Sequence, residues 1–312
     1  MIVFYLQGRI GNQLFMYAMA EAIRHKRGLN EKIVFYDEDI VKCGWKNSLE
    51  DYPLCDVEFI HSYADLSWRT RIQMIIVRSF YNCVGLYNLD RRPKYEKFFQ
   101  SLFNHFGIIT CVDGYLPIKI PKTKMIYIYG YFQSENYFKD IASQIKSTII
   151  YRLPLLRAKD YVQILGKRNS VCISIKVEHN VGSSLYDVCD KSYYTRAIDY
   201  IVQHVSNPLF FICSDNVPYV LEHFIDADRY DYICQEKDVS VSDSLSIMSA
   251  CKHFIIGNTS FGWWAQYLAT SPDKIVIAPN RWYRDHRMPV EGLYSVKWHL
   301  IDVTDYIERT HR

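Results

Sequence analysis

The sequence predicts an α/β fold in two halves, each a parallel sheet flanked by helices, facing each other across a cleft. Three observations predict it. The first residues read strand, glycine turn, helix, strand. From residue 170 onward, strand-like and helix-like runs alternate at regular spacing, the pattern that repeated β-α units produce. Between these regions, Lys146 to Ser170 reads as a mixed, charge-bearing connector. Two domains are therefore expected, over residues 1–155 and 156–312, which suits a 312-residue chain.

In the first half, Ile2 to Leu6 is strand-like and Gly8-Arg9-Ile10-Gly11 supplies the turn. From Asn12, apolar or small residues at Leu14, Phe15, Ala18, Ala22 and Ile23 share one helix face. His25, Lys26 and Arg27 suit its last turn, and Gly28 its cap. Ile33 to Tyr36 is the next strand. The turn lacks the third glycine of the dinucleotide fingerprint, which argues against an NAD(P) oxidoreductase. From about 40 to 120 the pattern is weaker, with amphipathic helices expected from Arg69 to Val84 and from Tyr95 to Phe106. Met125 to Tyr131 reads as a buried strand ending at Gly130, with Ser134 as a helix cap after it.

In the second half, strands are expected at Val171–Lys176, Leu209–Cys213, Tyr232–Cys234, His253–Ile256 and Ile275–Ala278. Helices are expected at Ser192–His204, Val217–Phe224, Asp243–Cys251 and Phe261–Ala269. The most informative stretch runs from Ile255 to Trp264: an apolar strand, a polar turn, and a helix start with Thr259 as cap and Ser260 in the first turn. Such a start offers backbone N–H groups and the positive end of the helix dipole, a natural seat for phosphate. Taken alone, it also reads as a capped helix packing a Trp pair into a core.

Composition narrows the classes. Apolar residues make up 49%, ample for a core, and 26 Tyr with six Trp suit either a core or a sugar-binding cleft. A net charge of +3 is too mild for a nucleic-acid partner. Nine scattered cysteines without CxxC spacing suit reduced thiols. No secretory signal is visible, and Arg78 interrupts the apolar run from Met74 to Leu86, so a cytoplasmic protein with at most peripheral membrane association is expected.

Lys176, Ser214, Asp215, Asn216, Asp243 and Asn258 to Phe261 stand at expected carboxyl ends of strands, where open α/β sheets bind ligands. A lysine there neutralises phosphate, and Asp215 and Asp243 can accept from a ribose or a base. Singly, each also reads as a helix cap or a solvated loop residue, with Asp243 opening the helical pattern of Leu245, Met248 and Ala250. Together they favour a nucleotide-type ligand.

Gly8-Arg9-Ile10-Gly11-Asn12-Gln13-Leu14-Phe15-Met16-Tyr17-Ala18 closely resembles the opening of the α-1,2-fucosyltransferases, glycosyltransferase family 11. Gly130 to Phe138 resembles the family's mid-chain Gly-Tyr-aromatic-Gln-Ser block, and Phe210 to Asp215 its Phe-x-Ser-Asp motif. Asp243 to Trp264, followed by Ile275 to Pro279, resembles its C-terminal signature. The resemblance implies a GT-B type fold of two Rossmann-like domains, the first on the acceptor side and the second binding the donor. It implies inverting transfer of L-fucose from GDP-fucose to a glycan (galactoside) acceptor, lipid-linked acceptors included, with no metal and no cofactor beyond the donor. Lys176 and Thr259-Ser260-Phe261 would then meet the diphosphate, with Gly11, Asn12 and Arg9 reaching across the cleft. Asp215 and Asp243 would hold the nucleoside, beside Ser214 and Asn258.

One block departs. Where the family carries His-x-Arg-Arg-x-Asp, this chain has Ser174-Ile175-Lys176-Val177-Glu178-His179-Asn180. Lys176 keeps a positive charge but loses the planar fork that grips pyrophosphate. This departure keeps two alternatives open: a changed sugar-nucleotide donor, or a non-catalytic protein that binds nucleotide sugar or glycan. Glu178, His179 and Asp187 are base candidates by chemistry alone.

Overall fold

The central strands are buried on both faces, as parallel sheets covered by helices require: Ile2, Val3 and Phe4 are all buried, as are Ile33 to Tyr36 and Val171 to Ile175. The computed structural model describes residues 1–28, 30–85, 88–89, 91–150 and 156–310. It divides into two units, Met1–Arg152 with Arg287–Tyr294, and Leu153–His286 with Ser295–Arg312.

The first unit contains β1 (Ile2–Tyr5), α1 (Ile10–Arg27), β2 (Ile33–Tyr36), α2 (Glu38–Lys42), β3 (Val57–Ile60), α3 (Trp68–Val84), α4 (Arg92–His105), β4 (Ile108–Cys111), β5 (Ile126–Gly130) and α5 (Ala142–Ile150). Its strands form an all-parallel sheet in the order β3-β2-β1-β5-β4, with Ile2 beside both Ile33 and Ile126. Val3, Val34 and Tyr127 pack under Val77, Tyr81 and Phe103 of α3 and α4. Gly28 ends α1 in the left-handed conformation expected of its cap. The helix begins at Ile10, two residues before Asn12, with Arg9 as N-cap.

The second unit contains α6 (Leu156–Lys167), β6 (Asn169–Ile175), α7 (Lys191–His204), β7 (Pro208–Ser214), α8 (Val217–His223), β8 (Tyr232–Cys234), α9 (Val241–Ser249), β9 (His253–Ile256), α10 (Ser260–Leu268), β10 (Val276–Pro279), β11 (His299–Ile301) and α11 (Thr304–Arg309). The sheet order is β11-β10-β9-β6-β7-β8, again all parallel. Val171, Ile173 and Ile175 pack against Tyr193, Ala197 and Ile201 of α7.

Two regions differ from the sequence reading. The connector expected over Lys146 to Ser170 holds the end of α5 and all of α6, with 151–155 outside the described residues. A single boundary near 155 does not anticipate the segment 287–294, which belongs to the first unit. There Gly292, at φ 78°, lies so close to Ser134 that a Cβ would fall 2.0 Å from its Oγ, and Pro289 abuts Gly114.

Candidate active site

In the second unit, β6 is flanked by β7 and β9, so three predicted loops share one sheet edge. Lys176 follows β6, Ser214 ends β7 with Asp215 next to it, and Asn258 to Phe261 lead from β9 into α10. Each of these loops has a local cause. Asp215 Oδ1 accepts from the backbone N–H of Val177 (2.7 Å), so the Ser-Asp block pins the turn that carries Lys176. Ser214 Oγ accepts from Asn216 N, and Asn216 caps α8.

Asn258 is buried, and its amide is fully used. Its Nδ2 donates to the carbonyls of Tyr186 (3.0 Å) and Trp282 (2.8 Å), while its Oδ1 accepts from Asn180 (3.2 Å). It therefore positions three loops. Thr259 caps α10 by accepting from Gly262 N (3.1 Å), as the sequence predicts, while Ser260 and Phe261 stand half-buried in the first turn. Gly262 permits the helix to sit close to the sheet, since a Cβ there would lie 3.0 Å from Ser174 Oγ.

A shallow depression of about 280 Å³, counted to its open mouth, is lined by Lys176, Asn180, Gly257, Asn258 and Thr259, among others. Burial pushes the Cys189 thiol and Tyr194 phenol in its wall well up, so both stay protonated. Ser214, Asp215, Asp243, Ser260 and Phe261 do not line it.

Asp243 differs from its expected place as a cap. Ser240 caps α9, accepting from Asp243 N (3.1 Å), and its hydroxyl donates to Asp243 Oδ2 (2.6 Å). This is a reciprocal cap in which the earlier serine wins because it precedes the first helical turn. Asp187 is also committed, accepting from Gly182 N (2.8 Å) and Tyr306 Oη (2.9 Å). Glu178 and His179 are exposed, and His179 holds a left-handed φ of 65°.

In the first unit the Gly8–Ala18 and Gly130–Phe138 blocks meet, because β1 and β5 are neighbours. Gln133 Nε2 donates to Asn12 Oδ1 (2.7 Å). Gly8 turns at φ 70°, and a Cβ there would strike the Asn12 amide at 2.5 Å. Gly11 is buried in the first turn of α1, and Arg9 is exposed with its guanidinium over the Trp45 ring.

A constellation missed by the sequence reading lies along the same edge. Gln13 is fully buried; its Oε1 accepts from Ser48 N (2.9 Å) and its Nε2 donates to Gly8 O (3.0 Å). It thereby holds the loop whose Asn47 Nδ2 donates to Asp37 Oδ2 (2.7 Å). The other oxygen, Asp37 Oδ1, lies 2.8 Å from His61 Nδ1. The Asp37 side chain is 0% exposed and that of His61 55%. A carboxylate only accepts, so Nδ1 donates to it and Nε2 is the ring nitrogen left facing outward from this pair. Glu50 brings a third ligand atom within 4.8 Å of the other two, the one such set among the described residues with spacing suited to a metal ion. The readable signal was Asp37 following directly on the strand Ile33 to Tyr36; the pairing to His61 has no local signature.

Comparison with known proteins identifies the family. The family model "Glycosyl transferase family 11" matches residues 1–302. Two Escherichia coli proteins are similar over most of both chains. One is an α-1,2-colitosyltransferase, 24% identical over 96% of this chain and 99% of its own. The other is the O-antigen biosynthesis glycosyltransferase WbnK, 22% identical over 89% and 93%. The solved fucosyltransferase NodZ from Bradyrhizobium shares the fold, with TM-score 0.51 and 12% identity over 86% of this chain and 93% of that one. The fold is two Rossmann-like α/β domains of GT-B type, and the match over residues 1–302 makes this chain a member of glycosyltransferase family 11.

Proposed function

We propose that this glycosyltransferase moves L-fucose from GDP-fucose to a galactoside hydroxyl of a surface-polysaccharide glycan, with inversion, without a metal, in the cytoplasm. The observation that carries this reading is the convergence of Lys176 and the α10 N-terminus on neighbouring strand ends. As the bond from sugar C1 to the diphosphate oxygen breaks, its electron pair leaves with GDP. Lys176 and the first N–H groups of α10 meet that growing charge. The acceptor oxygen bonds C1 from the opposite face as a general base takes its proton, a role we assign to His61, whose ring Asp37 orients.

A second reading has its own support. The block Ser174 to Asn180 lacks the family's arginine pair, and a relative over nearly the whole chain is named a colitosyltransferase. Colitose is fucose without its 3-hydroxyl, so the donor pocket can differ by a single contact. Product detection by mass spectrometry on a glycan panel, with GDP-fucose, GDP-colitose, GDP-mannose and UDP-sugars, separates the readings. Transfer from GDP-fucose with EDTA present is expected. Transfer only from another donor establishes the second reading, and GDP binding without any product leaves a binding protein.

A further inference from the structure

The outward sides of α3 and α4 are unlike the rest of the surface. On α3, Trp68, Ile72 and Ile75 are 66%, 47% and 57% exposed, at the i, i+4, i+7 spacing of one helix face. On α4, Tyr95, Phe98 and Leu102 repeat the arrangement at i, i+3, i+7, with Phe98 the most exposed ring at 77%. Both helices cover the same side of their sheet and pack together through Phe80, Phe99 and Phe103, so both stripes point away from it. Stripes of this kind on a surface mark a docking site rather than a core.

The charges beside the stripes identify what docks. The α3 helix carries Arg69, Arg71 and Arg78 and no acidic residue, and α4 carries Lys94 and Lys97. Arg71 is tied to the carbonyls of Leu66 and Ala64, but Arg69, Arg78, Lys94 and Lys97 have no ion-pair partner among the described residues. The single acid of α4, Glu96, is turned inward and buried, accepting from Tyr81 Oη (2.5 Å) and Val112 N (3.1 Å). The outward side is thus aromatic, aliphatic and cationic. A protein partner needs a matching acidic and apolar patch, whereas a bilayer with anionic headgroups presents both complements at once.

We propose that α3 and α4 form a monotopic docking surface for an anionic lipid bilayer. Trp68, Ile72, Ile75, Phe98 and Leu102 enter the headgroup boundary, while Arg69, Arg78, Lys94 and Lys97 meet lipid phosphates. No helix among the described residues is long and apolar enough to cross a membrane, so the association is with one leaflet. The assignment is independent of the donor sugar.

The test is co-sedimentation of the full chain with vesicles of phosphatidylcholine containing phosphatidylglycerol, against vesicles of phosphatidylcholine alone. Binding to the anionic vesicles only, weakened in high salt, is expected. The double variants Trp68→Ser/Phe98→Ser and Lys94→Glu/Lys97→Glu should each lower partitioning at least tenfold. Both change exposed side chains, so melting temperature and the shift produced by GDP should match the parent protein. Absence of binding to anionic vesicles, equal binding to neutral ones, or unchanged binding of both variants overturns the proposal. So does a dimer that Trp68→Ser/Phe98→Ser dissociates without any effect on vesicle binding.

Discussion

Asp37→Asn probes the proton acceptor without removing it. In the native protein Asp37 Oδ2 accepts from Asn47 and Oδ1 from His61 Nδ1. An asparagine has one oxygen and one NH₂ to fill those two places. If the oxygen stays with Asn47, the NH₂ faces Nδ1, which must then accept, and the ring proton moves to Nε2. That tautomer cannot take a proton from a hydroxyl. To keep the productive tautomer, the amide must turn and set two NH₂ groups against each other in a buried site. Leaving such a buried donor unsatisfied costs about 1–3 kcal/mol. At about 1.4 kcal/mol per factor of ten, the productive form falls to between roughly one part in five and one in 150. Turnover should drop by about 5- to 150-fold, against about 10²–10⁴ for His61→Ala, and imidazole should partly restore the latter. The assay is steady-state GDP release with the accepted donor and acceptor across pH, alongside GDP affinity and melting temperature. GDP affinity should hold in both variants. Asp37→Asn retaining more than half the parent turnover would refute the dyad, and activity that EDTA abolishes and zinc or manganese restores would make Asp37, Glu50 and His61 metal ligands instead.

Lys176→Ala should weaken GDP binding about tenfold or more with little change in melting temperature, and Lys176→Arg should retain or improve turnover; titration calorimetry and rates check both. Gly130→Ala should fail to fold or lose more than about 3 kcal/mol in urea unfolding, because φ is 138° and the new Cβ would lie 1.9 Å from the Cys111 carbonyl oxygen. Thr304 and Asn280 hold the Asp302 carboxyl down at about 2, so its contribution is present above the ordinary carboxylate range near ~3.9 and lost as pH falls toward 2. Urea midpoints from pH 5 to 2.5 should fall less steeply in Asp302→Asn than in the parent.

Regular alternation made the second half readable: the expected strands Tyr232–Cys234 and His253–Ile256 match β8 and β9 residue for residue. Thr259 was legible as a cap because a capping residue and its helix are neighbours in the chain. The region from 40 to 120 resisted for a physical reason. The strand β3 is four residues long and only partly buried, so Val57 to Ile60 carries neither a continuous apolar run nor strict alternation. Asp243 was placed one cap too late because Ser240, Ser242 and Asp243 are all competent N-caps, and the choice depends on where the helix axis starts. The pairing of Asp37 with His61 spans 24 residues and is made by β2 lying beside β3, which only the sheet order reveals.

The excursion of residues 287–294 bears on how the two units can be exchanged between relatives. These residues belong to the first unit, yet β11 and α11 follow them in the second. Gly292 lies against Ser134 and Pro289 against Gly114, and a Cβ added to either glycine would collide there. A chimera cut once near residue 150 would therefore combine one relative's Ser134 block with another's covering segment. Transplanting the first unit intact between family members calls for two crossovers, with 287–294 travelling alongside the N-terminal sheet.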